Sequence, residues 1–371
     1  MEYLLALQRL AFFYPEQAIE LIQAAGTASE VYASRQDLCM SLHLPPSLAR
    51  NILGDWDTAL RWASEEMEWC ERKKIGIIAY GSDNYPHNLL SCGDAPLALF
   101  YRGTAELNSP HIVSVVGTRD ATPYGDDMTR SLVSRLRELV PGTLVVSGLA
   151  YGIDVTAHKE ALRVGADTIG VLAHGLDTIY PAAHRSVARD IISHGGLLTE
   201  YPSKTRGERQ KFLHRNRIVA GMADCTVVVE SKIHGGSLVT ARQAGEYGRE
   251  VYAFPARVGD ITSEGCNKLI RDNKARLITS ADDLVSLMGW HTTEEAAERR
   301  AQGIVPSLFP NLSPEQKAIV DALRDGDLQQ NTLATKIQMP IGKVSALLFE
   351  MEMEGIVKAF AGGVYHLVTV V

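Results

Sequence analysis

The sequence lacks the patterns that would mark it for secretion or for a membrane. Its five cysteines form no Cys-x-x-Cys pair and are odd in number, which favours buried, reduced thiols over a disulfide framework. No apolar run approaches the roughly 18–20 residues that a membrane-spanning helix needs. The first residues, MEYLLALQRLAFFYPE, carry an acid at position 2 and no basic region, so they do not predict a signal peptide. We therefore expect a cytoplasmic protein that does not enter a membrane.

Familiar catalytic and metal-binding motifs are missing as well. The chain has no Walker lysine loop, no G-x-S-x-G, no H-E-x-x-H and no Cys/His zinc spacing, which argues against ATP hydrolysis of the P-loop type and against a zinc site. Asp154 and His158 are four residues apart on a predicted helix, a spacing that more often reflects capping or packing than catalysis. We expect no catalytic residue, no metal and no cofactor.

What the sequence does have is an uneven distribution of charge. Its 371 residues are 46% hydrophobic and 22% charged, which is typical of a globular protein with two or three domains. The net charge of −7 divides into −6 for residues 1–70, +2 for 71–290 and −3 for 291–371. From Lys204 to Arg217, six Arg or Lys accompany one Glu. This run is a candidate anion site; the alternative is a solvated surface loop.

The patterns along the chain predict four segments. Residues 1–70 show apolar spacing near 3.6 and predict a helical N-terminal domain. Residues 71–289 alternate apolar runs with amphipathic helices, which predicts an α/β domain with a doubly wound, mostly parallel sheet. Residues 290–311 lose periodicity and predict a linker. Residues 312–371 show helix–helix–helix–hairpin and predict a winged-helix domain.

Within the α/β segment the apolar runs give five strands, with helices between them. The predicted strands are 111–117, 143–148, 168–173, 225–230 and 250–255. The predicted helices are about 124–139, 152–164, 184–194 and 237–248.

Three glycine-marked loops follow predicted strands. They contain Gly117, Thr118 and Arg119, then Ser147 and Gly148, then Gly235, Gly236 and Ser237. Free backbone amides and the positive end of a helix dipole would favour a phosphate at each loop. A single loop of this kind can simply permit a tight turn. Three on one edge of a sheet suggest several phosphates, and therefore a polyphosphate or a nucleic-acid strand.

Two side chains add specific chemistry to these loops and to the basic run. Arg119 follows a strand and can hold a phosphate in bidentate fashion, or it can form a salt bridge with Asp120 or Asp154. Phe212 stands among cations, as aromatic residues do where they stack on bases of single strands; the alternative is that it anchors the next helix in the core.

The end of the basic run is predicted to begin that helix. Arg215, Asn216 and Arg217 fall there, with Arg209 and Lys211 before them. Arg217 can contact a phosphate or form a buried ion pair.

Taken together, the motifs resemble the bacterial DNA processing protein A family (DprA, also called Smf). The resemblance covers roughly residues 72–289 in the family's order. It is carried by Val116-Gly117-Thr118-Arg119, Thr122-Pro123-Tyr124-Gly125, SGLAYGID with Ala157-His158, GLDTIYP (175–181), Thr199-Glu200-Tyr201-Pro202, Phe212, RNRI (215–218), GGSLVTA (235–241) and the stretch from Glu264-Gly265 to Leu269-Ile270.

The resemblance implies an extended Rossmann-like fold that binds single-stranded DNA in a basic pocket and forms a homodimer. It also implies a role in natural transformation, in which the protein protects incoming strands and loads the recombinase RecA. Carried over by position, Arg119 is the pocket arginine and Phe212 the stacking aromatic, with Arg209 and Lys211 as backbone cations. Asn267 and the loop from Gly235 to Ser237 would line the same groove.

Two segments depart from the family pattern. The N-terminal domain, of the SAM or helix-hairpin-helix type, often carries a glycine-rich turn, whereas this chain has AFFYPEQA and a charge of −6 over residues 1–70. We therefore do not expect duplex binding there. The third helix of the winged-helix segment offers Lys343 but also Glu350, Glu352 and Glu354, which opposes contact with phosphates and favours a regulatory or protein-docking role.

Two other functions stay open from the sequence. A Rossmann-like nucleotide phosphoribohydrolase of the "lonely guy" type carries a PGGxGTxxE loop, but alignment on Gly235-Gly236 places Leu238, Val239 and Arg242 where that loop needs Gly, Thr and Glu. The catalytic carboxylate would be absent. A nucleotide-sensing interaction module is the other alternative, and it would bind a mononucleotide without dependence on strand length.

Overall fold

The structure, a computed structural model, describes residues 1–290, 312–323, 326–353 and 356–367. Apart from Trp290, the predicted linker at 290–311 lies outside the described residues. The chain divides into two compact units, the first made of Met1–Asn108 and Ile169–Met222 and the second of Ser109–Thr168 and Ala223–Val371. The four predicted segments stay a prediction.

The first unit begins with six helices. They are α1 (Glu2–Leu10), α2 (Pro15–Ala25), α3 (Ala28–Ala33), α4 (Arg35–Ser41), α5 (Pro46–Gly54) and α6 (Trp56–Lys73). Pro15 and Pro46 each occupy a first helical position, where the missing amide costs nothing. Gly26, with φ +99°, ends α2. The apolar faces bury Leu5, Leu48 and other side chains in one core, so the predicted helical character of residues 1–70 is confirmed.

The rest of the first unit consists of four β-strands that are neighbours in a sheet, together with their helices. The strands are β1 (Gly76–Ala79), β2 (Ala98–Gly103), β5 (Thr168–Val171) and β6 (Gly195–Thr199), and the helices are α7 (His87–Leu90), α10 (Arg185–Ser193) and α11 (Arg209–Gly221). The strand order is β1-β2-β6-β5. β2 pairs antiparallel with both β1 and β6, with Phe100 opposite Ile77 and Thr199. The sequence patterns did not predict β1, β2 and β6.

The second unit contains a parallel sheet covered by helices. The strands are β3 (His111–Val116), β4 (Thr143–Ser147), β7 (Cys225–Val228), β8 (Glu250–Ala253) and β9 (Arg276–Leu277), and the helices are α8 (Pro123–Leu139), α9 (Ile153–Val164), α12 (Ser237–Glu246), α13 (Glu264–Arg271) and α14 (Ala281–Met288). Their order is β4-β3-β7-β8-β9, and all four neighbouring pairs are parallel. Val113, Val227 and Tyr252 are fully buried between strands and helices. The five predicted strands are all present, as β3, β4, β7 and β8 in this unit and β5 in the first, whereas β9 was not predicted. The mostly parallel doubly wound fold is confirmed.

The C-terminal part of the second unit is a winged-helix domain, as predicted. Its elements are α15 (Pro314–Leu323), β10 (Leu328–Gln329), α16 (Gln330–Lys336), α17 (Ile341–Met353), β11 (Val357–Phe360) and β12 (Val364–Leu367). The antiparallel sheet has the order β10-β12-β11. Val344, Leu348 and Met351 lie on one face of α17. They pack in a core together with Ile319 and Leu333.

The cysteines are free, and all except the half-buried Cys39 are buried, as the odd count predicts. Burial, and then the nearby Glu66 carboxylate, raise the pKa of the Cys70 thiol to about 12. Over the described ranges, no helix combines the length and the apolar character that crossing a bilayer requires.

Candidate nucleic-acid interface

The carboxyl ends of β3, β4, β7 and β8 share one edge of the second unit, because these neighbouring strands are parallel. The three glycine-marked loops and the loop before α13 begin there. In open parallel sheets this edge is where ligands bind. The sequence-based prediction that the three glycine loops meet at one edge is therefore correct.

Two glycines allow the β3 and β4 loops to approach each other closely. A Cβ atom on Gly117 would lie 2.4 Å from Cγ1 of Ile153 and 2.9 Å from the carbonyl oxygen of Glu230. Gly152 has φ +72°, and a Cβ there would lie 2.2 Å from the carbonyl oxygen of Thr118. No other residue fits either position without moving backbone.

Glu230, which was not predicted as a site residue, connects the loops through hydrogen bonds. Its fully buried carboxylate accepts hydrogen bonds from the amide and the hydroxyl of Thr122, both at 2.9 Å, and from the hydroxyl of Ser263 at 3.3 Å. Its carbonyl oxygen accepts from the amide of Thr118 at 2.7 Å. The available signal was an acid placed directly after the apolar run CTVVV.

The expectation that the backbone amides of all three loops are free is wrong for several of these amides. The amides of Gly148 and Ala150 donate to Oδ2 of Asp154, at 3.1 and 3.4 Å, and the amide of Gly235 donates to the carbonyl of Lys232 at 2.9 Å. The reason is that the loops fold back on their own polar groups. Asp154 thus acts as a local cap, while His158 is buried and hydrogen-bonded to Thr168 at 2.7 Å. Both roles agree with the packing interpretation.

The predicted side chains at this edge differ in what they expose. Arg119 is exposed, and its neighbour Asp120 pairs with Lys232 at 3.3 Å. By contrast, the Ser147 hydroxyl is buried and donates to the carbonyl of Val115 at 2.6 Å. Arg119 is therefore the predicted residue here that presents a charge to solvent.

Ser237 and Asn267 use their polar groups within the loops. The Ser237 hydroxyl is buried and donates to Oγ of Ser231 at 2.8 Å. The Asn267 side chain both accepts from and donates to the backbone of Ala256, at 3.1 and 3.0 Å. Thr118 and Gly235 are half-buried and Gly236 is exposed.

The basic run in the first unit forms most of α11. This helix begins at Arg209, so the prediction that it begins at Arg215 is wrong. The residues between Glu208 and Arg215 include neither Gly nor Pro, and Gln, Lys and Leu among them favour a helix. Arg209 is consequently exposed on the first turn. Nζ of Lys211 lies 3.2 Å from Oε1 of Glu208.

Phe212 forms an aromatic pair near the start of α11. Its ring is half-buried and lies 5.6 Å from that of Tyr180, centroid to centroid, at a tilt of 46°. Tyr180 is 55% exposed. A Cβ on Gly207 would lie 3.0 Å from Cζ of Phe212, so the glycine makes room for the ring. The pair places aromatic surface next to the cations of the first turns.

The second half of α11 turns inward. Arg215 is buried and donates to the carbonyl of Val171, while its Nε lies 3.2 Å from Oδ1 of the half-buried Asn216. Arg217 is buried, forms an ion pair with the buried Glu200 and donates to the carbonyl of Asp94 at 2.6 Å. These contacts match the alternative of a buried ion pair for Arg217.

The cations of the run that stay accessible precede or begin α11. They are the exposed Lys204, Arg206 and Arg209 and the half-buried Lys211. Burial raises the pKa of the adjacent Tyr201 phenol, and the negative charge of the Glu200 carboxylate raises it further. This phenol therefore stays neutral and adds no negative charge near the run.

An α/β fold with ligand-type loops at its carboxyl edge, a basic helix and a winged-helix domain matches one protein family. The family model for DNA recombination-mediator protein A matches residues 76–289, and the model for the DprA winged helix domain matches residues 306–363. The chain belongs to the DNA recombination-mediator protein A (DprA) family.

Individual relatives agree with this assignment. Protein Smf of Escherichia coli is 34% identical over 312 residues, which cover 81% of this chain and 79% of that protein. The crystal structure of DprA from Streptococcus pneumoniae is similar with a TM-score of 0.66 and 30% identity, over 77% of this chain and 97% of that one. A structure that describes the single-stranded DNA binding mode of DNA processing protein A from Helicobacter pylori is similar with a TM-score of 0.53 and 29% identity, over 59% of this chain and 98% of that one.

Proposed function

We propose that this protein binds single-stranded DNA and acts as a recombination mediator that protects incoming strands and loads RecA in natural transformation. Membership of the DprA family supports a role in DNA recombination. The structural observation that carries the strand-binding step is α11, where exposed cations accompany the aromatic pair of Phe212 and Tyr180. The H. pylori relative, which binds single-stranded DNA, supports the same ligand.

Strand binding combines electrostatic capture with base stacking. Arg209 and Lys211 hold phosphates in the first unit, and Arg119 holds a phosphate in the second, which releases counterions from the strand. Phe212 stacks on a base, an interaction worth roughly 1–3 kcal/mol. A duplex binds less well because its bases are already stacked on one another. The site residues act as a binding surface, and we propose no catalytic role for them.

The partners proposed for this function are single-stranded DNA, RecA and a second copy of the chain, joined through the Rossmann-like domain in the cytoplasm. The winged-helix domain is proposed to dock a protein rather than DNA. Lys343, the cation of α17, pairs with Glu315, and the exposed Glu350 and Glu352 follow on the same helix; Glu354 lies outside the described residues.

The phosphoribohydrolase alternative has no support at its key position. Arg242, which occupies the place of the catalytic glutamate, is exposed and pairs with Glu246 at 3.6 Å along its own helix. Glu246, one turn later on α12, does not stand at the position where the motif needs its glutamate.

A fluorescence anisotropy titration tests the proposed function. A labelled oligothymidine of about 30 nucleotides is compared with the matching duplex at two salt concentrations. We expect tight, salt-sensitive binding that prefers the single strand. Absence of single-strand binding would overturn the proposal. Tight binding of a mononucleotide without dependence on strand length would indicate the nucleotide-sensing alternative.

A further inference from the structure

The turn between α1 and α2 presents an aromatic ring to solvent. This turn contains the AFFY run, and the Phe13 side chain in it is 85% exposed. A single exposed apolar residue is normal on a protein surface. The position of Phe13 relative to the basic helix, together with the rigidity of the turn, makes this one informative.

The turn is held by hydrogen bonds that fix its backbone. The amide of Tyr14 donates to the carbonyl of Ala11 at 2.7 Å, and the Tyr14 phenol lies 2.6 Å from the hydroxyl of Ser47 at the start of α5. Nδ2 of Asn51, also on α5, donates to the carbonyl of Leu10 at 3.0 Å. The ring of Phe13 is therefore carried by a backbone that needs little ordering before a ligand binds, which favours affinity.

A chain of ring contacts connects this turn to α11. The ring of Phe12 lies 5.5 Å from that of Tyr201 and 5.9 Å from that of His214, and the ring of Phe13 lies 5.5 Å from that of Phe12. His214 and Lys211 are three residues apart on α11 and so lie on one face of it. Phe13 is thus connected, through the Phe12 ring, to the face of α11 that carries His214 and Lys211.

The geometry of the Phe12–Phe13 pair leaves room for a base. The two ring planes are 89° apart, so whichever ring points its edge at the other, at least one face of Phe13 is not covered by Phe12. An exposed aromatic face beside a cationic groove is how proteins bind single strands without sequence preference.

We propose that Phe13 stacks on a base of the single strand that α11 binds, so that the N-terminal helices extend the strand-binding surface. This inference rests on the proposed function and lengthens its site. Arg9, one turn before Phe13, lies over the Trp62 ring at 4.6 Å, and the N-terminal segment is acidic as a whole. The N-terminal contribution is therefore stacking without additional phosphate contacts.

Phe13→Ala in the full chain tests the proposal, with oligothymidines of about 6 and about 20 nucleotides. We expect affinity for the longer strand to fall between about fivefold and a hundredfold, as for the loss of one stacked base. The salt slope should not change, because stacking releases few counterions. Phe13→Trp should restore the affinity, and its fluorescence should be quenched by the longer strand relative to the wild-type protein. The matched control is Met40→Ala on α4, which alters another exposed apolar side chain, 78% exposed, of the same helical segment.

The outcomes separate this proposal from the proposed function. If Phe13→Ala binds the longer strand like the wild-type protein while Phe212→Ala binds it more weakly, the strand is bound at α11 and the stacking role of Phe13 is overturned. An equal loss of affinity in Phe13→Ala and Met40→Ala also contradicts it, because such a loss is not specific to the ring. If the wild-type protein binds neither oligothymidine, the proposed function itself fails.

Discussion

The buried carboxylate of Glu66, on α6, accepts hydrogen bonds from both the amide and the hydroxyl of Ser203, at 2.7 and 2.6 Å. Ser203 follows β6 and directly precedes the basic run that forms α11. Gln8 of α1 adds a second contact to the same region, since its Nε2 donates to the carbonyl of Glu200 at 3.2 Å. The acidic N-terminal helices therefore use two polar side chains to hold the segment that leads into the basic helix.

Replacing Glu66 by Ala should destabilise the protein and weaken strand binding together. Removal of the carboxylate leaves the amide and hydroxyl of Ser203 without that acceptor, which costs about 1–3 kcal/mol of the free energy of unfolding. Urea unfolding measures the first effect, and anisotropy with oligothymidine under native conditions measures the second. Glu65→Ala, at an exposed position next to it, is the control and should change neither. Unchanged stability in Glu66→Ala would show that the hydrogen bonds to Ser203 contribute little.

Replacing Arg119 by Ala should weaken single-strand binding and reduce its dependence on salt. If Arg119 neutralises one phosphate, the slope of log K against log salt should become shallower by about 0.7, the value for one contact with a single strand. Arg242→Ala is a suitable control, because Arg242 is an exposed arginine paired along its own helix. A slope that does not change in Arg119→Ala would remove Arg119 from the binding surface.

Phe212→Ala should give the complementary result, weaker binding with an unchanged salt slope. Loss of one stacked base lowers affinity by roughly 1–3 kcal/mol. Leu213→Ala tests whether the aromatic ring matters, since Leu213 is the adjacent residue of α11, apolar and 41% exposed. A large change of slope in Phe212→Ala would instead place Phe212 in a structural role that positions the neighbouring cations.

The parallel part of the fold could be predicted from the sequence because buried parallel strands are continuous apolar runs. HIVSVV and CTVVV are such runs, and they became β3 and β7. Of the strands that the sequence did not predict, β1 begins with one glycine and β6 with two, and glycine is depleted in strands. The local sequence therefore predicts the buried parallel strands better than the antiparallel ones.

The candidate site was predictable only in outline. The position of Arg119 after β3 follows from local sequence. Its exposure agrees with the prediction that it can contact a phosphate. The inward turn of α11 at Arg215 and Arg217 depends on Val171 and Glu200, which are distant in sequence. Glu230 has the same property, because its three hydrogen bonds reach Thr122 and Ser263 on other loops. Long-range partners decided which polar residues are structural.

Arg217→Ala should be strongly destabilising, whereas removing both charges of the pair should not. Loss of Arg217 alone leaves the Glu200 carboxylate buried without its partner, which costs about 3–5 kcal/mol. The double variant Arg217→Met, Glu200→Gln should recover most of this loss in urea unfolding. Its affinity for oligothymidine should lie within about twofold of wild type if the pair is structural. A stable double variant that has lost strand binding would show that Arg217 contacts the DNA.

The hydrogen bonds to the Glu160 carboxylate should make part of the free energy of unfolding depend on pH. Hydrogen bonds from Nε of Arg163, at 3.0 Å to each carboxylate oxygen, hold the pKa of Glu160 below its usual range, and the hydroxyl of Ser134 on α8 adds a further donor. Because the folded-state pKa is lowered, the stabilisation is present above the unfolded-state pKa of about 4.3 and is lost as the pH falls through the folded-state value. Glu160→Gln should therefore lower the free energy of unfolding by about 1–2 kcal/mol at pH 7, and the difference from wild type should shrink as the pH is lowered below about 5. Glu246→Gln, which alters an exposed ion pair, should differ little from wild type at any pH. A Glu160→Gln deficit that is constant between pH 7 and the acid limit of folding would mean that the lost stability comes from packing rather than from the carboxylate charge.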